Sequence, residues 1–166
     1  MADSRDESDR LAALAACAVM DTPREGAFDC IVFTVAQLFR VPMALLALVD
    51  DSRVWAKASV GPISRDIARS KSLCTAVVEG KTLIVAEDAT VDPRFASQAA
   101  VAPQDRIRFF AGAPLKGPDD YVVGALCVFD HHTRTVPERQ QAQLLQFAAQ
   151  TSELLRSRIA GGLRPG

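Results

Sequence analysis

Few side chains in this sequence combine reactive chemistry with a suggestive setting. Cys74, in SLCTAV, stands where a short helix should begin, and a helix N-terminus lowers a thiol's pKa and raises its reactivity. Free cysteine is also among the most buried residue types, so Cys74 reads first as a core thiol and only second as a redox centre. Cys127, inside the apolar run GALCVFD, reads as core in the same way. Cys74 has no neighbouring cysteine in the chain to resolve an oxidised sulfur. His131 and His132 follow an apolar run; zinc needs three or four converging ligands, and adjacent side chains at a strand end point apart, so both read as loop residues. Haem ligation by one of them is the lesser alternative.

A second group suits binding better than catalysis. Trp55 and Lys57 share one face of the alternating stretch RVWAKASVG, where an aromatic ring and an ammonium suit an anionic or planar ligand. The alternative has Trp55 capping the core and Lys57 in solvent. Arg108 and Phe110 project to one side of a later strand, and a buried Arg needs an acid, from Asp88, Asp92 or a ligand. Gly112 and Gly124 flank the centre of RFFAGAPLKGPDDYVVGALCVFD and are expected near one another across a hairpin, where glycine marks close approach of a ligand or another backbone. The alanines beside them should admit helices. Nucleophile with base, paired carboxylates and phosphate loop are all missing, so the reading is not an enzyme.

The elements that would position these residues follow from periodicity. Leu11, Leu14, Ala15 and Ala18 recur at helical spacing and predict a first helix over residues 9–20. Thr22, Pro23 and Glu25 resemble a capped helix start, and Phe28, Ile31, Val32, Val35, Leu38 and Phe39 form a stripe ending at residue 39. Residues 42–49 are almost wholly apolar, DDS turns, and 53–61 alternate: a hairpin whose second strand has Val54, Ala56, Ala58 and Val60 on one side and Arg53, Trp55, Lys57 and Ser59 on the other. A short strand is expected over 82–87, a capped turn at Asp92-Pro93, and a second hairpin from 107–115 and 121–129. Thr135, Pro137 and Glu138 open a last helix to about residue 159, with a stripe of Leu144, Phe147, Ala148, Thr151, Leu154 and Leu155. Hairpins with segregated helices make the class α+β. Strands apolar on both faces require covering twice, by the terminal helices on one side and by residues 63–106 on the other.

Composition agrees with a single folded domain over 9–160, with loose ends at 1–8 and 161–166: of 166 residues 49% are hydrophobic, too many for disorder. A net charge of -1 gives no electrostatic footprint for nucleic acid or an anionic membrane. An acidic start and the lack of any apolar run near membrane-spanning length point to the cytoplasm, and four scattered cysteines without CxxC spacing suggest neither a disulfide framework nor a metal site.

The segments LAALAACAVMDTPREGAFDCI, VPMALLALVDDSRVWAKASVG, SKSLCTAV, TLIVAEDATVDPRFAS, IRFFAGAPL and VVGALCVFD resemble, in order and spacing, the GAF domains of bacterial sensor proteins. That resemblance implies an antiparallel sheet of five or six strands, terminal helices on one face, and a ligand pocket under loops and short helices on the other. It implies a sensory or regulatory module, of the kind found in two-component signalling, that binds an unidentified small molecule. Such a module would pair as a homodimer through its first and last helices and act on a signalling protein in trans. The implied ligand-binding set is Trp55, Lys57, Ser72, Leu73, Cys74, Phe95, Arg108, Phe110, Gly112 and Cys127. The Asn-Lys-Phe-Asp-Glu signature of the cyclic-nucleotide-binding members is missing from a chain with no asparagine, and Thr75 rather than His follows Cys74, against covalent bilin. A thiol-dependent reductase of the methionine sulfoxide type, using Cys74, is the alternative function; a ligand-free dimerisation module is another. No cofactor is required by the sequence.

Overall fold

The computed structural model describes residues 4–97 and 106–162. Helix α1 spans Ser4–Ala16 and α2 Gly26–Phe39; strands β1 (Met43–Val49), β2 (Arg53–Val60) and β3 (Asp66–Ala68) follow, then α3 (Cys74–Gly80), β4 (Ile84–Ala86), β5 (Phe109–Lys116), β6 (Val122–Asp130) and α4 (Glu138–Gly162). The strands form one six-stranded antiparallel sheet in the order β3-β2-β1-β6-β5-β4. The α+β class and the double covering are therefore as the strands' composition requires.

Central β1 is buried throughout and separates two cores. Leu46 and Leu48 join Ala111, Ala113 and Leu115 of β5 beneath α1, α2 and α4, while Leu45 and Val49 join Phe110, Cys127 and Phe129 beneath α3 and the middle segment. Small Ala111 and Ala113 let α4 lie close over β5, where Ser152 Oγ accepts from the Lys116 N–H at 2.9 Å.

Two bulges break the strict alternation on which the strand faces were read. Leu46 pairs with Ala58 and Ala47 with Ala56, so Lys57 is the extra residue on β2. Val54 and Ala56 accordingly lie away from the helices and Trp55 on their side, while Ala58 and Val60 beyond the bulge also face the helices. The second irregularity is in β6, where Val123 packs toward the helices and Ala125 away from them, although period two would put them on one face. It sets Gly124 opposite Leu115 and Gly112 opposite Cys127, so the two glycines are not across from one another as expected.

Helix α1 begins at Ser4, earlier than residue 9, and ends before a left-handed Ala18 rather than at residue 20. Residues 4–8 and 161–162 are helical, not loose; residues 1–3 and 163–166 lie outside the described residues. The buried stripe is Arg10, Ala13, Leu14 and Cys17 instead of Leu11, Leu14, Ala15 and Ala18. A charged residue has turned the helix: Arg10 Nη1 donates to the Val49 carbonyl at 2.7 Å, and its other nitrogens bind Glu7 at 2.8 Å. Arg69 approaches the same carboxylate at 2.6 Å.

The Arg10 hydrogen bond, with Arg69 assisting, holds the Glu7 carboxyl down at about 2 against an ordinary 4.5. A carboxylate depressed in the folded state contributes stability that is present above the ordinary value and lost as pH falls from 4.5 toward 2. Solvent reaches this side chain and screens part of the effect, leaving about 1–2 kcal/mol. Glu7→Gln should be destabilised by that amount at neutral pH and converge on the wild type near pH 2, as followed by urea midpoints; parallel acid profiles would show that Glu7 carries no such term.

Helix α2 starts at Gly26, with extended Glu25 before it and no side-chain cap. Thr22 therefore does not cap it; its hydroxyl donates to the Val19 carbonyl at 2.6 Å and accepts from Lys57. Leu38 is exposed at 37%, and Ala36 takes its place in the buried stripe. The last helix opens where Pro137 and Glu138 predicted, and its stripe is Leu144, Ala148, Thr151, Ser152 and Leu155. Leu155 is fully buried within the chain, and Leu154 and Ile159 pack against the same core. The cause is Arg158, whose Nε and Nη2 donate to the Cys17 and Ala18 carbonyls at 3.2 and 2.8 Å and clamp the end of α4 over the end of α1.

Candidate functional site

Away from the helices, β1, β6 and the connection from β2 to α3 enclose a cavity of about 280 Å³. Its floor is Met43 and Leu45 of β1 and Phe129 of β6; its walls are Pro62, Ile63, Ile67, Leu73 and Ile107. Alternation of β1 supplies the floor, because its odd-numbered residues point away from the helices. The polar lining is Ser64, Lys71, Ser72 and His131, of which all but Ser72 are exposed at the rim. Among the described residues that line it, none is acidic. The cavity can thus enclose an apolar body and present two nitrogen-bearing side chains to an anionic group.

The expected ligand set divides when placed in space. Ser72 and Leu73 line the cavity. Phe95 and Phe110 belong to the adjacent core, ring centroids 5.3 Å apart in an edge-on contact, with Phe110 also 5.3 Å from Phe129. Gly112 admits α3 to the sheet: a Cβ there would lie 2.8 Å from Val77 Cγ2 and 3.1 Å from Cys127 Sγ. Arg108 is half-buried and donates to the Ile107 carbonyl at 3.0 Å. Neither acid suggested for it is idle, since Asp92 pairs with Arg94 at 2.5 Å and Asp88 accepts from Thr90. Asp92 does cap its turn, receiving the Arg94 N–H at 2.9 Å.

Trp55 and Lys57 lie on the opposite side of the sheet from the cavity. Lys57 is neither a ligand-facing ammonium nor in solvent. Its fully buried Nζ binds Glu25 Oε2 at 2.5 Å and Thr22 Oγ1 at 2.7 Å, and sits 5.7 Å from the centre of the Phe28 ring on α2. The hydrogen bond from Lys57, together with Arg158, lowers the Glu25 carboxyl.

Cys74 has a partner after all. Its Sγ lies 3.1 Å from Cys127 Sγ, both fully buried, because α3 sets its first residue over β6. Burial, with the contact to Cys74, pushes the Cys127 thiol up. The separation of 53 residues hid this pair from the sequence. The cavity residues that sequence reasoning missed, from β1, β6 and the loops around Pro62, Ser64 and Ile107, carry no motif; the one signal was that β1 is apolar on both faces. His131, read as a loop residue, is in a loop, with Nδ1 3.1 Å from the Arg106 carbonyl oxygen, and that loop borders the cavity. Among the described residues no three His, Cys, Asp or Glu side chains are grouped to hold a metal ion, and no helix is long and apolar enough to cross a membrane.

A six-stranded antiparallel sheet, with helices on one face and a loop-walled cavity on the other, defines an α+β module open to binding on one side. The GAF domain pattern matches residues 23–155, and the chain belongs to the GAF domain family. It is 35% identical over 144 residues to cyclic di-GMP phosphodiesterase PA2567 of Pseudomonas aeruginosa, a match that takes in 86% of this chain and 24% of that protein. The chain thus corresponds to about a quarter of that curated relative's length. Among solved structures, the GAF domain of an Acinetobacter phosphoenolpyruvate-protein phosphotransferase superposes with a TM-score of 0.68 at 20% identity, covering 98% of this chain and 99% of that one. Free methionine-R-sulfoxide reductase from Neisseria meningitidis, solved with its substrate, gives 0.64 at 16% identity, with 96% and 93% covered. At these identities the structures share the fold.

Proposed function

We propose that this GAF domain is a cytoplasmic sensor that binds a compact anionic molecule with an apolar body in the cavity floored by Met43, Leu45 and Phe129. It relays occupancy through α1 and α4 to a signalling protein. The carrying observation is the lining: apolar walls, Lys71 and His131 at the mouth, and no acid among the described residues that line it. A volume of about 280 Å³ is at the low end of ligand clefts, so the ligand is small. Chemistry within the domain is not part of this reading, since the titratable side chains lining the cavity are confined to its rim. The relative named as a cyclic di-GMP phosphodiesterase supports an output of regulatory kind, because a unit like this one is a minor fraction of its length. Four scattered cysteines without CxxC spacing suit a reducing compartment. A route for the relay is physical: β2 joins Glu25 through Lys57, and Glu25 joins α4 through Arg158.

Native mass spectrometry of protein purified from its own source should show a retained small mass. Ile63→Trp, which fills the cavity from its wall, should lose that mass while the circular dichroism spectrum is kept. Empty wild-type protein that no compact carboxylate or phosphate ester stabilises against heat would overturn the reading.

A further inference from the structure

We propose that Cys74 and Cys127 form an oxidative modification site, a dithiol that a hydroperoxide converts to a disulfide. The two sulfurs, from α3 and β6, are 3.1 Å apart, and a disulfide bond is about 2.05 Å long, so roughly 1 Å of approach closes it. Gly112, opposite Cys127 in the ladder, makes the approach possible: without a Cβ it lets Val77 and the Cys127 sulfur occupy the space above β5 and draws α3 down. The other cysteines are elsewhere, Cys17 in the core under the helices and Cys30 exposed on α2. The pair is therefore selected by position.

The chemistry balances with a hydroperoxide as the two-electron oxidant. The Cys74 sulfur attacks the peroxide oxygen; an S–O bond forms, the O–O bond breaks, and the alcohol, or water from hydrogen peroxide, leaves with a proton. The Cys127 sulfur then attacks the sulfenic sulfur; the S–S bond forms, the S–O bond breaks, and water leaves with the Cys127 proton. Each sulfur gives up one electron overall. Cys74 acts first because it adjoins the cavity residues Ser72 and Leu73, whereas Cys127 is in the centre of the sheet and burial holds its thiol protonated. Both sulfurs are shielded from solvent, so the reaction waits on opening of the seven-residue α3 and is slow.

Closing the bond ties the start of α3 to β6. Leu73 on one wall and Leu45, the β1 partner of Cys127, on the floor then move together, so oxidation reshapes the cavity. That consequence rests on the ligand reading above; the thiol chemistry does not.

The test uses the Cys30→Ser protein, which lacks the exposed thiol. After prolonged hydrogen peroxide treatment, denaturation and alkylation, Cys74 and Cys127 should be protected, their peptides joined with the loss of two hydrogens and released by dithiothreitol, while Cys17 is alkylated. In Cys127→Ala the protection should disappear and dimedone should trap Cys74 as a sulfenic acid. Full alkylation of Cys74 and Cys127 after peroxide overturns the proposal, as does protection that survives Cys127→Ala. The Cys30→Ser peptide map decides the matter even where a core variant fails to fold, and its outcome is independent of whether any ligand is retained.

Discussion

Replacing Gly124 by alanine should destabilise the domain by about 4 kcal/mol or more, a loss reserved for a few mechanisms such as overpacking against atoms that cannot yield. A Cβ at this position would overlap the Ala47 carbonyl oxygen and lie 3.1 Å from both Ala47 C and Leu48 Cδ2. The obstacle is the backbone of β1, and β6 cannot retreat from it because β5 holds its other edge. Gly112→Ala is the informative contrast. Its added carbon would meet the side chains of Val77, Phe110 and Cys127 at 2.8–3.1 Å, and side chains give way by rotation, so the cost should be about 1–3 kcal/mol. Urea unfolding of the two variants separates the readings: equal losses would show that β6 can shift away from β1 after all. A small loss for Gly124→Ala would also mean that the bulge beside it is an adaptable joint.

The difference between the two glycines shows where the sequence was readable. Their presence in strands signalled close approach, and close approach is what each provides: to a neighbouring backbone at Gly124, to a helix at Gly112. What composition could not carry was register. One extra residue at Lys57 and another near Gly124 shift every subsequent side chain to the other face, and neither bulge has a signature in a single sequence. Hence the terminal helices, the hairpins and the double covering are legible from periodicity, while Trp55 and Lys57, a pair that suits a ligand, lie on the helix side.

Burial of charge is the second feature that a pattern of polar and apolar residues does not carry. Arg10 and Lys57 have polar labels, so helix and strand stripes were drawn through their apolar neighbours; both are buried because specific oxygens await them, the Val49 carbonyl and Glu7 for one, Glu25, Thr22 and the Pro23 carbonyl for the other. Apart from Glu7, the Val49 carbonyl is 39 residues from Arg10, and Thr22 and the Pro23 carbonyl are 35 and 34 from Lys57, so they leave no local pattern. The cavity was foreseeable only as a face, the side of the sheet not taken by the terminal helices. Its particular residues come from β1, β6 and loops whose meeting depends on sheet order β3-β2-β1-β6-β5-β4, which no spacing in the chain specifies.

Glu25→Ala should cost more than Lys57→Met, although Glu25 is the more exposed partner. The Glu25 side chain is 40% accessible and binds both Lys57 and Arg158, whereas the Lys57 side chain is wholly enclosed. Removing the carboxylate leaves a buried ammonium with neutral oxygens as its nearest partners, a change that typically costs about 3–5 kcal/mol, on the order of 10 °C in Tm. Lys57→Met keeps the volume of the stem against Phe28 and removes the buried charge itself. Glu25 can then be solvated and still holds Arg158, so the loss should be about 1–3 kcal/mol. The double variant should be more stable than Glu25→Ala alone, giving a coupling of about 1 kcal/mol or more in the cycle. The same cycle bears on signalling, because Arg158 fastens α4 to the carbonyls of Cys17 and Ala18 while leaning on Glu25. Without the carboxylate, amide exchange in α4 beyond Leu155 should quicken more than in β5, whereas Lys57→Met should leave that end of α4 protected. Additive losses, with unchanged protection at the end of α4, would mean that the buried Lys57–Glu25 pair only fixes packing and transmits nothing from the sheet to the helix.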